Sequence, residues 1–334
     1  MKILERFIIT KDEHLQLGFR NRYRKPGWED DVYNKHRFII DYMIKNNIKY
    51  KLTTGDILDK QTGWSFKQYL ANKKILEMYK NANIQIFSIA GNHDMIEGRN
   101  TIKDSVFEEF CNQGLINYNK FWNFENIIFI AKDFVNIGID IKKEEFLENI
   151  KNEVSYLKSL DKKIGLVLHQ NITPEPERVT EITYQELADL GLDVVIAGHY
   201  HKGFPPQIVN NTLFINPWNL WRVVRNYEVK EELHTPEFVD LKIIEKDSNT
   251  LSFEFETIEV PYKKYSEAFD IAKVENYKNI KKEVFSFFNN ISLDNFDETD
   301  EVKILDKIKT KFGSEIDPNL IDTIIEELKK KFED

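Results

Sequence analysis

The sequence predicts an α/β protein whose functional residues collect beyond the carboxyl ends of a buried sheet. Three features carry this expectation. Short β-branched runs alternate with stretches of helical periodicity up to His201. Most of these runs close on residues of metal-ligand type, and open sheets of this kind hold their sites at the carboxyl ends of the strands. From residue 263 onward alternation gives way to helical spacing with frequent Asn and Lys, which sets a mainly helical region, 263–334, apart from a main domain, 1–262.

The first strand is expected over 6–10, with Asp12 and His14 just past its end. A loop over 19–28 follows, too rich in Arg, Pro and Gly for a regular element. Its Arg20, Arg22 and Arg24, interleaved with aromatics, have the chemistry to grip a nucleic-acid backbone. Phe38, Ile39, Tyr42 and Met43 recur at helical spacing and predict a helix over 32–46, in which His36 is a plain imidazole without a task. A second strand over 50–54 runs into Gly55 and Asp56, a glycine and carboxylate suited to close approach of a ligand. Another helix is expected around Phe66, Tyr69, Leu70 and Leu76, then a strand over 84–90 ending in Gly91-Asn92-His93-Asp94. Two strands are expected between 127 and 140, a charged helix over 143–159, and a buried strand over 164–168 that ends at His169.

After a Pro- and Glu-rich loop and a short helix comes the stretch 193–201, a β-branched run closed by Gly198-His199-Tyr200-His201. In extended chain, residues two apart point to the same side, so both histidines are expected to project into one space from a strand end. A hairpin is expected around Asn210-Asn211, followed by Asn216-Pro217-Trp218-Asn219 and Arg222. Strands over 238–244 and 251–260 are expected to pack a second sheet against the first, and His234 reads as a loop residue. The final helices are expected over 266–289, over 299–312 and from 317, the last with Leu320, Ile321, Ile324, Ile325 and Leu328 on one face.

Composition narrows the possibilities. With 41% hydrophobic and 31% charged residues the chain reads as globular, and no apolar run reaches the ~18–20 residues a membrane span needs. Residues 1–10 read as a strand with charges inside it, not a secretory leader, so a cytoplasmic protein is expected. Cys111 is the sole cysteine, which excludes an internal disulfide and a Cys-rich zinc site. The net charge of −9 argues against wholesale coating of a polyanion, though not against local binding, because a cleft with two divalent cations carries its own positive charge.

Together the strand ends supply Asp12, His14, Asp56, Asn92, His169, His199 and His201. Imidazole, carboxylate and amide oxygen in this mixture suit manganese, iron or zinc better than calcium. Seven ligands exceed the need of one catalytic ion, whereas a pair ~3.5–4 Å apart sharing one carboxylate would use them all. Asp56, between the two halves of the set, is the bridging candidate. Such a pair lowers the pKa of a shared water for in-line attack and neutralises charge on the phosphoryl oxygens. His93 is then the candidate general acid, with Asp94 expected to orient it.

These residues resemble the signature of the calcineurin-like metallophosphoesterases: Asp12-Glu13-His14, Gly55 to Asp59, Gly91 to Asp94, His169, and Gly198 to His201, in the family's order. The resemblance covers roughly residues 1–260. It implies a four-layer α/β/β/α sandwich with a mainly helical C-terminal extension. It also implies one metal held by Asp12, His14, Asp56 and His201, a second by Asp56, Asn92, His169 and His199, His93 as the acid, and Asp59 near the site without being a ligand.

Within that superfamily the chain looks most like the SbcD-type DNA exonucleases. The supporting residues are His14-Leu15 with Gly18 close behind, Leu168-His169-Gln170, Gly198 to Lys202, and the Asn216-Pro217 stretch ending in Arg222. That resemblance implies two divalent ions, manganese foremost, DNA as substrate, Tyr200 and Arg222 near it, an SbcC-like coiled-coil ATPase as partner, and a homodimer. It further implies a host's cytoplasm should the chain be phage-encoded, and a docking role for the face from Leu320 to Leu328. Trp218 and Asn219 depart from the Gly and small residue usual after Asn-Pro. The alternative reading is a phosphodiesterase for small or cyclic nucleotides, with the same site in a narrower pocket.

Overall fold

This computed structural model describes residues 2–17, 24–59, 63–96, 99–176, 178–220, 235–246, 250–273, 275, 279 and 282. The chain divides into two compact units, one of residues 1–20 and 26–263, the other of 21–25 and 264–334. In the first, β1 (Lys2–Thr10) is buried over its last four residues and lies between two neighbours. Both its faces are apolar because both are covered: Phe7 and Ile9 point one way, Ile8 the other. It pairs in parallel with β2 (Tyr50–Thr53), and β2 pairs in parallel with β3 (Gln85–Ser88). Helices α1 (Trp28–Lys45) and α2 (Phe66–Asn81) form the crossovers between these strands.

The helix ends have local causes. Ser65 accepts from the Gln68 backbone N–H while the Gln68 side chain returns to Ser65, a reciprocal cap that starts α2. Helix α1 begins four residues before the expected 32. Gly27 precedes it at φ 79°, and Glu29, Asp30 and Asp31 occupy its first turn, where acidic side chains meet the positive end of the helix dipole.

A second sheet has the order β10-β11-β9-β6-β5-β4, built from β4 (Phe121–Asn123), β5 (Ile127–Lys132), β6 (Lys163–Leu168), β9 (Val194–Ala197), β10 (Phe204–Val209) and β11 (Thr212–Asn216). Its crossovers carry α4 (Lys143–Leu157) and α5 (Tyr184–Ala188), and two-residue strands β7 (Ile172–Thr173) and β8 (Ile182–Thr183) pair beside it. Short helix α3 (Val106–Asn112) packs with α1 and α2 on the first sheet. The apolar residues fall into three clusters: α1, α2 and α3 on the outer face of the first sheet, α4 and α5 on the outer face of the second, and a cluster between the sheets. That inner cluster holds Phe7, Leu52, Phe129, Val167, Ile196 and Leu241. The arrangement is the four-layer α/β/β/α sandwich.

Two expectations are corrected. The strands at 238–244 and 251–260 form β12 (Glu237–Glu245) and β13 (Leu251–Glu259), but they do not begin a second sheet. Instead β12 pairs antiparallel with β1, for example Phe7 opposite Leu241, so the pair extends the first sheet to β13-β12-β1-β2-β3. Second, only one strand lies between 127 and 140. The residues after Lys132 leave the sheet because Asp133 turns back, its carboxylate taking the Ala90 backbone N–H at 2.8 Å. The hairpin around Asn210 and Asn211 forms as expected, with both residues in the left-handed region at φ 47° and 70°.

In the second unit the Lys25 N–H donates to the Ala268 carbonyl at 3.0 Å, beside a single helical turn α6 (Tyr265–Ala268). The expected helices over 299–312 and from 317, with the stripe from Leu320 to Leu328, lie outside the described residues, as does His234.

His36 belongs to the core. It is fully buried on α1, with Nδ1 2.9 Å from the Tyr79 hydroxyl, and burial pushes its pKa down to about 4 against the pull of Glu13. The unfolded chain therefore takes up a proton near pH ~6.5 that the folded chain refuses until about 4, so acidification through that window favours unfolding. Urea midpoints measured between pH 7 and 4.5 are expected to fall with pH, and to fall less steeply in His36→Gln.

Candidate metal centre

The strand-end loops meet at one edge of the sandwich. Loops 11–14, 54–59 and 91–94 follow β1, β2 and β3, and His169 and 198–201 follow β6 and β9. Their backbones are pressed together. A Cβ on Gly91 would collide with the Asp56 carboxylate and lie 2.5 Å from the Asp56 nitrogen, so only glycine admits this approach. Asp12, His14, Asp56 and His199 adopt left-handed φ of 43°, 41°, 48° and 77°. Non-glycine residues rarely do so, and four at one site mark a constrained constellation.

The extended-chain expectation for His199 and His201 is therefore corrected. The strand ends at Ala197, and the His199 N–H turns to the Asp12 carboxylate at 3.1 Å, which forces the left-handed turn. As a result the two rings part: His199 stacks edgewise near His169 with centroids 5.0 Å apart, and His201 near His14 at 4.9 Å.

Between these two pairs stands Asp56. Its Oδ2 lies 3.3 Å from His169 Nε2 and 3.7 Å from His14 Nε2, while its Oδ1 accepts the His93 backbone N–H at 2.8 Å. His14 Nε2 is 3.0 Å from His201 Nε2. Each inward nitrogen is aimed by what its ring holds outward. His169 Nδ1 donates to the Thr54 carbonyl at 2.6 Å, and His14 Nδ1 faces the Asp59 carboxylate at 3.3 Å. One donor atom each from Asp56, His169 and His199 lies within 4.8 Å of the others, and the same holds for His14, Asp59 and His93. Asn92 stands in the turn between Gly91 and His93.

The charges fit a cation site. Burial works to raise both carboxyls, but His169, Lys11 and His201 hold Asp12 below the usual range, and His169, His14 and His93 hold Asp56 far below it. Burial would lower His14 and His169, yet Asp59 and Asp56 respectively lift them to about 9. Burial and a charged neighbour take His199 and His201 down to about 4. Each imidazole pair thus combines one ring raised and one lowered, beside two carboxyls held below their usual range. Buried Asp12 Oδ2 and His169 Nε2 make no hydrogen bond. Nitrogen and oxygen donors of this kind, converging without hydrogen-bond partners, fit borderline divalent metals.

His93 and Asp94 part company. His93 Nδ1 lies 3.1 Å from the Asp59 carbonyl, which can only accept, so the ring donates there and keeps Nε2 for other work. Asp94 does not take the orienting place expected for it. Its carboxylate accepts the N–H groups of Leu58 and Gly91 at 3.0 Å and of Ile57 at 3.3 Å, binding the 55–58 turn to the 91–94 turn. Burial and Asp56 push its pKa up to about 7, opposed by those N–H groups.

The sequence reading missed the charges beside Asp12. Lys11 is fully buried and donates to the Tyr200 carbonyl at 2.7 Å and to Asn216, tying the first ligand loop to the last. Burial lowers its pKa to about 8 despite Asp12. Glu13, also fully buried, pairs with Lys51 on β2 and accepts from Thr10 at 2.7 Å. Lys51 also lies over the Tyr79 ring at 4.8 Å. A lysine inside the short strand 50–53 was the one available signal. Among the expected substrate residues, Tyr200 is half exposed and Arg24 lies over the Phe269 ring at 4.8 Å within the second unit. Arg20, Arg22 and Arg222 fall outside the described residues.

Fold and site together define a metal-dependent phosphoesterase. Residues 12–203, more than half of the chain, match the calcineurin-like phosphoesterase family, and the chain belongs to it. Over 203 residues it is 28% identical to the DNA double-strand break repair protein Mre11 of Sulfolobus acidocaldarius, a stretch covering 57% of this chain and 48% of that protein. The protein of the same name from Sulfurisphaera tokodaii is 28% identical over 162 residues, covering 48% of this chain and 39% of that one. The chain thus spans about half the length of these relatives or less. Among solved structures, a dimetal phosphatase from Danio rerio aligns at TM-score 0.48 and 11% identity, over 78% of this chain and 100% of that one.

Removing Glu13 would leave the Lys51 ammonium buried without its anion. Glu13→Gln is expected to lower the unfolding free energy by about 3–5 kcal/mol, measured by urea denaturation. The double variant Glu13→Leu with Lys51→Met is expected to recover much of that loss.

Proposed function

We propose that the chain is a DNA nuclease that hydrolyses phosphodiesters with two divalent metal ions, manganese foremost, and works as a homodimer with an SbcC-like coiled-coil ATPase. The observation that carries the hydrolytic part is Asp56 Oδ2 standing between His169 Nε2 and His14 Nε2 at 3.3 and 3.7 Å. In this reading Asp12, His14, Asp56 and His201 hold one ion, and Asp56, Asn92, His169 and His199 the other. Bound there, the pair supplies an activated water and charge neutralisation at the phosphoryl oxygens.

The protein's own groups do the rest. Thr54 and Asp59 fix the rings of His169 and His14, and the Asp59 carbonyl fixes His93 so that its Nε2 side can deliver a proton to the leaving oxygen. Asp94 acts by bracing the two turns and not by touching substrate. DNA as substrate is supported by the likeness to two DNA double-strand break repair proteins, over part of their length, and the ATPase partner by the resemblance of the motifs to the SbcD-type exonucleases.

The test compares manganese-dependent hydrolysis of linear duplex DNA, single-stranded DNA, cyclic dinucleotides and a generic phosphodiester. DNA cleavage is expected, and it is expected to vanish in Asp56→Asn. His93→Ala should lose about 10²–10⁴-fold in kcat while binding manganese as tightly in calorimetry. Full activity in His93→Ala would remove that residue as the acid. Cleavage of the cyclic dinucleotides alone would replace the nuclease reading with a small-nucleotide phosphodiesterase.

A further inference from the structure

A pocket is built in part from residues that adjoin the candidate ligands in sequence, and the chemistry described so far does not use it. It has a cavity volume of about 290 Å³, and its lining includes Asn171, Tyr184, Tyr200, Lys202 and Phe204, with Glu181 also in its wall. Its walls are continuous with the ligand loops: Asn171 is two residues past His169, and Tyr200 lies between His199 and His201. We propose that this pocket seats one nucleobase of the substrate beside the scissile phosphate, an inference that rests on the nuclease reading.

The pocket is small. Its volume of about 290 Å³ lies at the lower edge of the roughly 300–1,000 Å³ of drug-sized sites and has room for a nucleobase. The lining offers what such a ring needs. Phe204 presents a partly exposed face and is held from behind by Tyr184, centroids 5.3 Å apart, which in turn leans on Phe214 at 5.0 Å. Tyr200 is 49% exposed at the mouth, with its carbonyl pinned by Lys11. Aromatic faces of this kind stack any base, at about 1–3 kcal/mol each.

Polar groups complete the match. Asn171 Oδ1 is a buried acceptor without a hydrogen-bond partner, suited to the exocyclic amine of adenine, cytosine or guanine. Lys202 is exposed at the same pocket and provides a cation for a neighbouring backbone phosphate. The wall is also rigid. A Cβ on Gly203 would stand 2.6 Å from the Trp218 backbone nitrogen, so the 200–204 loop is packed tightly against residue 218. A fixed stacking face loses little freedom when a base arrives.

The experiment uses the full chain with manganese and two oligonucleotides that differ only by an abasic site next to the cleaved phosphate. The base-bearing strand is expected to be cut about 10-fold better in kcat/KM, in line with the stacking range. Phe204→Ala and Asn171→Leu, checked for folding by thermal melts, should bring that ratio towards one. A second readout does not need turnover: 2-aminopurine at the same position should lose fluorescence on binding to the metal-free protein, and lose less with Phe204→Ala. Equal cleavage of the two strands by the native chain, or an unchanged ratio and quench in both variants, would overturn the pocket's role. Hydrolysis of a generic diester with neither oligonucleotide cut or bound would overturn it differently, by removing the nuclease reading beneath it.

Discussion

The centre depends on a reciprocal brace between two turns. Asp94 takes backbone N–H groups from the turn after β2, and Asp56 on that turn takes the backbone N–H of His93. Two buried carboxylates thus hold two loops by main-chain groups, whose positions do not vary with rotamer. Asp56 spends only Oδ1 on this brace and keeps Oδ2 for the imidazoles. Buried carboxylates that satisfy backbone donors make stiff supports, because breaking either contact leaves a charge or a donor unmatched in a dry region.

The rest of the site extends the same logic outward. Thr54 and Asp59 meet the outward nitrogens of His169 and His14, while Lys11 and Glu13 tie the loop 11–14 to its surroundings. The left-handed backbone at Asp12, His14, Asp56 and His199 is tolerated because these contacts determine it from several sides. Lys11 and Glu13 flank Asp12 with opposite charges and lead to opposite places, one to the loop after β9 and the other to β2. The short motif 11–14 is consequently anchored to both sheets.

Much of this was legible in sequence because strand ends announce themselves. A β-branched run closed by glycine and a ligand-type residue appears after β2, β3 and β9, and His169 closes β6 in the same way. What was not legible depends on distant pairing. Nothing local tells β12 to lie beside β1 instead of opening another sheet, since the alternation reads the same in either place. The turn at His199 was misread for a similar reason: its backbone is set by Asp12, 187 residues away. The pairing of Glu13 with Lys51 leaves no local trace, because the two are remote in sequence and only folding buries them together.

The parallel strands that carry the centre have a kinetic consequence. Candidate ligands run from Asp12 to His201 and come from both sheets, so no local segment holds a working fraction of the site. Chains dominated by such distant contacts close slowly, since loop entropy must be overcome before the contacts form. The centre is therefore complete only where the two sheets are docked. A cation that recognises the completed constellation binds the finished molecule and not the nascent one, and the metal supply of the cell becomes a thermodynamic selector for correctly assembled chains.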